Sequence, residues 1–81
     1  MITGGQIRAA RALLRWSGRD LSVKSRIGAA TIQRLEQQDG VPGGRSQTLL
    51  ELQKALEAAG VEFIGTPDQA PGVRLVGPTK A

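Results

Sequence analysis

The sequence predicts a single, mainly α-helical domain in which four helices are followed by a short C-terminal β-hairpin. Apolar residues recur at helical spacing through roughly the first 60 of the 81 residues. Capping patterns precede two of these segments, as Ser17-x-x-Asp20 and Thr48-x-x-Glu51. After Gly60 the pattern changes to short β-branched and aromatic runs, which are typical of strands.

The first helix is expected to begin after Thr3, which can cap it, and to run to about Leu14. Ile7, Ala10 and Leu14 share one face of this helix. Trp16 follows at the junction with the next helix. We expect it to pack in the core, because aromatic side chains dominate small cores.

The second and third helices are short and lie close together in the chain. Ser17 is expected to cap the second helix, over residues 18–25, with Asp20 completing the capping box. After a turn at residues 26–28, the third helix should run to about Gln38, because Asp39-Gly40 follows it.

The fourth helix should begin between Ser46 and Thr48, since either residue can cap it. Gly60 stands where a left-handed residue would end it. One stripe of this helix is apolar and is expected to be buried: Leu49, Leu52, Leu56 and Ala59.

Two strands are expected after the helices, over residues 61–64 and 73–76. A loop of roughly seven residues, punctuated by Gly and Pro, should join them, and its length predicts a mobile connection. The chain therefore divides into a helical domain (1–60), a two-stranded β extension (61–76) and a flexible tail (77–81).

Composition argues against an enzyme and against a metal or cofactor site. The chain has no histidine and no cysteine, so the usual general base, thiolate chemistry and the commonest zinc ligands are all missing. Its paired glycines stand at helix boundaries and do not form a nucleotide fingerprint. We therefore expect a binding protein without a cofactor.

Positive charge is concentrated in the first half of the chain. Residues 1–45 contain eight Lys or Arg against three acids, whereas residues 46–81 contain three against four. This asymmetry favours an electrostatic footprint for nucleic acid, although basic residues also solubilise helices.

No apolar run approaches the ~20 residues that span a bilayer. We expect no membrane association and a cytoplasmic, nucleoid-associated protein.

The third helix carries the clearest functional pattern. Its apolar residues fall on one side, and the opposite side carries only small or long polar residues: Ala29, Ala30, Gln33, Arg34 and Gln37. A helix with such a slim, neutral-to-basic face is suited to the major groove of DNA. Double-stranded DNA is therefore the expected partner.

The same region resembles the Xre-type helix-turn-helix family, which includes the phage lambda and Cro repressors. The resemblance covers roughly residues 4–60 and is carried by Trp16-Ser17, Leu21, Ala30-Thr31-Ile32-x-Arg34-Leu35-Glu36 and Thr48-Leu49-Leu50. It implies a lambda-repressor-like four-helix bundle whose third helix is the recognition helix. It also implies a partly buried ion pair between Arg11 in the first helix and Glu36, a pair that fixes register more than it stabilises.

Three positions depart from the family pattern. Gly18 replaces the glutamine that usually starts the second helix, which leaves a backbone N–H for a phosphate. Arg26 stands where a glycine commonly adopts a positive φ, at a cost on the order of 1 kcal/mol. Gly28 replaces the usual Ser or Thr cap of the recognition helix.

The family resemblance implies that Ala29 and Ala30 face base edges. Arg34 is the expected main reader, because arginine binds guanine through two hydrogen bonds; its alternatives are a phosphate contact or a solvated charge. Gln33 and Gln37 are secondary readers or solvated surface residues. Thr31 either binds a phosphate or fills the helix interface. The expected phosphate set is Gly18, Arg19, Lys24, Arg26, Gly28, Thr31 and Arg45.

One recognition helix reads few base pairs, so we expect a homodimer with its recognition helices about 34 Å apart. The strands are the expected dimerisation element, through Val61, Phe63, Ile64, Val73, Leu75 and Val76. The alternative is a hairpin that packs on the fourth helix of its own chain.

The expected function is a transcriptional regulator, with repression as the expected effect. The alternatives are an antitoxin or anti-regulator that binds a protein through residues 61–76, and a protein-interaction module without DNA contact.

Overall fold

The computed structural model describes residues 2–43 and 46–77. Within them lie four helices and two strands: α1 (Gly4–Leu14), α2 (Gly18–Ser25), α3 (Ala29–Glu36), α4 (Ser46–Ala58), β1 (Val61–Thr66) and β2 (Gln69–Leu75). The expected order of four helices and an antiparallel hairpin is confirmed. No helix in these two ranges is long and apolar enough to cross a membrane. All but Gly77 of the tail expected at 77–81 lies outside the described residues.

Two complete capping boxes start the first two helices. The Thr3 hydroxyl accepts a hydrogen bond from the Gln6 N–H (3.0 Å), and the Gln6 side-chain oxygen accepts one from the Thr3 N–H (2.9 Å). In the same way, the Ser17 hydroxyl accepts a hydrogen bond from the Asp20 N–H (3.0 Å), and the Asp20 carboxylate accepts one from the Ser17 N–H (2.8 Å). Both expected caps are confirmed, and each satisfies backbone donors that would otherwise lack partners.

The core draws on all four helices and on β1. Its buried apolar residues are Ile2, Ile7, Ala10, Leu21, Ile32, Leu35, Leu49, Leu52, Leu56 and Val61. Trp16 is half-buried and packs against this cluster, as expected. Ala59, expected in the stripe of α4, is half-buried after the end of the helix.

Two helix boundaries differ from the sequence expectation. The third helix ends at Glu36 instead of Gln38, because the Gln38 N–H bonds to the Leu35 carbonyl (3.3 Å) in a tightened last turn. The fourth helix already includes Ser46, so Thr48 lies inside it and the capping box expected at Thr48 is wrong. Its cap position falls outside the described residues.

The hairpin is longer and its turn tighter than expected. Its strands pair from Val61 opposite Leu75 to Thr66 opposite Gln69, so the expected loop of roughly seven residues is wrong. Only Pro67-Asp68 lies between the paired ends. Proline has its φ fixed near the value that the second residue of a common turn requires, which explains this short connection.

A bulge next to the turn adjusts the strands to it. The register shifts between Ile64 and Thr66, and Gly65 adopts a φ of 75°. A Cβ at Gly65 would overlap the carbonyl oxygen of Ala70, which itself has a φ of 50°. Ordinary turns do not match strand twist, and a bulge with left-handed residues restores the match.

The hairpin packs on its own chain, chiefly through β2 against α1. The Gln6 side-chain amide donates hydrogen bonds to the carbonyls of Gly72 (2.9 Å) and Ile64 (3.3 Å). Phe63 and Val73 pack against the core from the inner face of the hairpin. One residue of α1 thus both caps its helix and fixes the strands.

The first testable prediction concerns Gly4. Its N–H bonds to the Gly40 carbonyl (3.1 Å), and a Cβ there would overlap the carbonyl oxygens of Leu35 and Gln38. Gly4→Ala should therefore destabilise the chain by about 1–3 kcal/mol, because backbone atoms have to move. Thermal unfolding followed by circular dichroism measures the loss.

Gly5→Ala is the matched control. The nearest atom to a Cβ at Gly5 lies at 3.6 Å, on the flexible Arg8 side chain. This variant should gain about 0.5–1 kcal/mol from the lower backbone entropy of the unfolded chain. Equal melting temperatures for the two variants would contradict a close approach at Gly4.

Candidate nucleic-acid interface

One face of α3 is turned entirely outward. Ile32, Leu35 and Glu36 point into the molecule and are buried. The five residues singled out from the sequence are all exposed: Ala29, Ala30, Gln33, Arg34 and Gln37. At 3.6 residues per turn they occupy less than half of the helix circumference, so they form one continuous surface. We call these five residues the α3 face.

The ion pair implied by the family resemblance is present. Arg11 binds both carboxylate oxygens of Glu36, from Nε at 2.8 Å and from a terminal nitrogen at 2.7 Å. The side chain of Glu36 is 8% exposed and that of Arg11 26%. The other terminal nitrogen of Arg11 donates to the Trp16 carbonyl (3.0 Å). The hydrogen bond to Glu36 raises the pKa of Arg11, against the opposing effect of burial and together with the charge of Glu36.

Arg8 adds a second tie between α1 and the end of α3, one that the sequence reasoning missed. Its guanidinium donates to the Glu36 carbonyl and to the Asp39 carboxylate (3.2 Å). Arg8 stands one residue after the buried Ile7 and three before Arg11. Arg8 and Arg11 are three residues apart and are therefore neighbours on α1. Since Arg11 was expected to bind Glu36, this spacing could have indicated that Arg8 also faces the end of α3.

The connection between α2 and α3 is held by two serines. Arg26 has a φ of 63°, which confirms the expected left-handed turn residue. The Ser22 hydroxyl donates to the Ile27 carbonyl (2.6 Å), and the Ser25 hydroxyl accepts from the Ile27 N–H (3.2 Å). These bonds fix both polar groups of Ile27 and offset the cost of the turn.

Gly28 caps α3 without a side chain, as expected, and no side chain of the described residues bonds to the first turn of α3. Its backbone N–H groups therefore stay available at an exposed helix end. Thr31 is half-buried. Its partial burial agrees better with the alternative of filling the helix interface than with a phosphate contact.

A cleft of about 310 Å³ separates the start of α2 from α3. Its lining residues are Arg11, Gly18, Arg19, Ala29, Ile32, Gln33 and Glu36. The cleft brings a phosphate candidate from α2, Arg19, next to two members of the α3 face. Gly18 is the first residue of α2, where helices present free N–H groups. Asp20 is occupied with the cap, and its hydrogen bonds to Ser17 lower its pKa.

Not all expected phosphate ligands join this cleft. The Lys24 ammonium lies 5.9 Å from the centre of the Trp16 ring, in a depression also lined by Ala55 and Ala58 of α4. Lys24 is therefore separated from the cleft and engaged in a cation–π contact. The position expected for Arg45 lies outside the described residues.

Unpaired positive charge remains around the α3 face. Among the residues described, salt bridges involve Arg8, Arg11 and Arg74. No salt bridge within those residues involves Arg19, Arg26 or Arg34, and all three are exposed. Their guanidinium groups need not break an internal bond to bind an anion or a base edge.

The residues expected at a dimer interface separate into two groups. Val61 is 2% exposed and belongs to the core, and Phe63 and Val73 pack against it. Ile64, Leu75 and Val76 are 40%, 49% and 58% exposed. Only this second group offers apolar surface to another molecule.

The second prediction concerns the buried ion pair. Glu36→Gln leaves the Arg11 charge without its partner, so the free energy of unfolding should fall by about 3 kcal/mol. Arg11→Met with Glu36→Leu removes both charges and should recover most of that loss. Chemical denaturation of Arg11→Met, of Glu36→Leu and of the double variant measures the coupling. A double variant as unstable as the sum of the two single variants would contradict it.

No protein-family model matches this chain, and neither does a curated protein.

Proposed function

We propose that the chain is a sequence-specific DNA-binding transcriptional regulator of the Xre helix-turn-helix type, acting as a repressor on the nucleoid in the cytoplasm. α2 and α3 form the helix-turn-helix, and α3 enters the major groove. The observation that carries this proposal is the α3 face, which combines two exposed alanines with the exposed, unpaired Arg34. The residue pattern shared with the Xre family supports it.

The dimensions of the α3 face suit a groove about 12 Å wide, which admits one α-helix. Ala29 and Ala30 keep the first turns slim, so the helix backbone can come close to the base edges. Arg34 can reach the O6 and N7 acceptors of a guanine with two donors. Gln33 and Gln37 are exposed beside it and can bind adenine or a backbone oxygen.

Phosphate contacts would hold α3 in place. The cleft offers Arg19 and the N–H of Gly18 to one phosphate, in the manner of a helix N-terminus. Arg26 and the exposed Gly28 lie at the turn that precedes α3. Arg45 stays a candidate on sequence grounds. Lys24 lies beside Trp16, away from this cleft, and stays a candidate for a separate phosphate.

The regulator would act as a homodimer through the edge of β2. The Val76 N–H points to the Gly60 carbonyl on the β1 side (2.7 Å). Backbone groups alternate in direction along a strand, so the N–H and C=O groups of Val73 and Leu75 point to the opposite edge. A second copy placed antiparallel presents the same groups, and its pairing would cover Leu75 and Val76. An open edge of this kind is a template for another strand.

An antitoxin or anti-regulator is the second candidate. It is favoured by the exposed apolar side chains of Ile64, Leu75 and Val76, which a different protein could cover. The α3 face would then still bind DNA. Purification from the native host, with a search for a second polypeptide bound to residues 61–76, separates this role from a homodimer.

The third prediction separates base readout from phosphate binding. Arg34→Ala should cost about 1–3 kcal/mol on a duplex enriched from a random library, and much less on random DNA. Arg19→Ala should weaken binding to both duplexes equally. It should also reduce the slope of log affinity against log salt by about 0.9 for each bound protomer, or about 1.8 for the proposed homodimer, because each protomer loses one phosphate contact.

Lys54→Ala is the matched control, because it removes the same charge from an exposed position on α4. It should change neither affinity nor slope by more than a small amount. Fluorescence anisotropy with labelled duplexes at about 50–200 mM salt gives all of these values. An equal loss on both duplexes would assign Arg34 to a phosphate. A wild-type chain that binds no duplex at low salt would overturn the proposed function.

The fourth prediction tests the β2 edge. Leu75→Lys places a charge where a second strand would bury a leucine, so the dimer dissociation constant should rise about 10- to 100-fold. Leu13→Lys on α1 is the control, since Leu13 is 42% exposed against 49% for Leu75. Analytical ultracentrifugation measures both. A dimer of unchanged strength in Leu75→Lys would place the interface elsewhere.

A further inference from the structure

We propose that α3 reads the 5-methyl group of a pyrimidine, so that 5-methylcytosine can replace thymine in its DNA site. This inference rests on the proposed function, because it concerns how the α3 face contacts base edges. The structural basis is the start of α3, where Gly28, Ala29 and Ala30 are consecutive and exposed. None of these side chains has a hydrogen-bonding atom.

Alanine can detect a methyl group but not the polar atoms beside it. Thymine presents an O4 acceptor and a C5 methyl group in the major groove, whereas cytosine presents an N4 donor. A side chain that only donates or only accepts hydrogen bonds would distinguish the O4 acceptor from the N4 donor. An alanine methyl group gains only dispersion and burial from the C5 methyl, which occupies the same ring position in thymine and 5-methylcytosine.

The structure assigns the methyl contact to Ala30. Ala29 lines the cleft beside Gly18 and Gln33, towards the phosphate-binding side. Ala30 is not among the residues that line that cleft, and it shares a helix stripe with Arg34 four residues on. Thr31, the next polar side chain, is half-buried.

The spacing of Ala30 and Arg34 places the methyl group near a guanine. A rise of 1.5 Å per residue separates the two Cα atoms by about 6 Å along α3. Helix side chains lean towards the N-terminus, which brings the Arg34 guanidinium back towards Ala30. Base pairs stack about 3.4 Å apart, so the methyl group and the guanine lie within about two base steps. Methylation of a cytosine close to that guanine would then strengthen binding.

The experiment uses the full chain and one duplex enriched from a random library. At each pyrimidine near the guanine, thymine is compared with uracil, and 5-methylcytosine with cytosine, so that each pair differs by one methyl group. Burying one such group is worth about 0.8 kcal/mol, which is a factor of about four in affinity. At one position we expect this factor in both pairs. The guanine should lie within two base steps of this methyl-sensitive position. Replacing it by 7-deazaguanine should also weaken binding, because the N7 acceptor proposed for Arg34 is then missing.

Two variants identify the side chain responsible. Ala30→Gly removes the methyl partner and should reduce the factor of four to about one in both pairs. Ala29→Gly carries the same loss of helix propensity and should keep the factor. Thermal melts of both variants confirm that each is folded at the assay temperature.

The outcomes separate this inference from the proposed function. If no duplex is enriched, the proposed function fails and the inference fails with it. If a duplex binds but no position responds to a methyl group, or only thymine against uracil does, the inference alone is overturned. A methyl effect that persists in Ala30→Gly also overturns it, because the contact then lies elsewhere.

Discussion

The orientation of α3 depends on the ion pair between Arg11 and Glu36. Glu36 is buried on the side of α3 that faces α1, so its charge is tolerable only with the guanidinium in place. The two-point geometry of that contact is satisfied at one rotation and one height of α3. The bond from Arg8 to the Glu36 carbonyl acts in the same direction. The α3 face is therefore presented as a fixed surface, and the proposed reading of base edges requires such a surface.

α1 connects the hairpin, which is the proposed dimer interface, with α3, which is the proposed recognition helix. At its start, Gly4 lies against the end of α3, and Gln6 holds the hairpin through Gly72 and Ile64. Arg11, near the other end of α1, holds Glu36. In the proposed dimer, the distance between two recognition helices would thus be set through α1. A path of direct contacts between the hairpin and α3 suits a protein that has to match fixed half-site spacing.

Much of the fold could be predicted because it depends on local rules. Helical periodicity, the caps at Thr3 and Ser17 and the need for a positive φ at Arg26 all act within a few residues. The outward position of the α3 face also follows from periodicity. The Arg11–Glu36 pair could be expected only from the family resemblance, because it joins residues far apart in sequence.

The features of the structure that differ from the sequence expectation depend on contacts between residues that a sequence pattern does not reveal. α3 ends in a tightened turn at Gln38, against which Gly4 of α1 packs closely, and the long strands depend on a bulge at Gly65. The contact of Lys24 with Trp16 is another one that sequence patterns do not contain, and the phosphate contact expected of Lys24 stays a prediction.

Trp16 is the only tryptophan of the chain, and its surroundings give it a use in solution. Its ring lies beside Lys24 and the small residues of α4, and its carbonyl is held by Arg11. The α3 face lies on other elements of the molecule. Intrinsic indole emission thus follows the packing of Trp16 against α4 and the contact with Lys24. Loss of the native state can therefore be recorded from a single indole without adding a label.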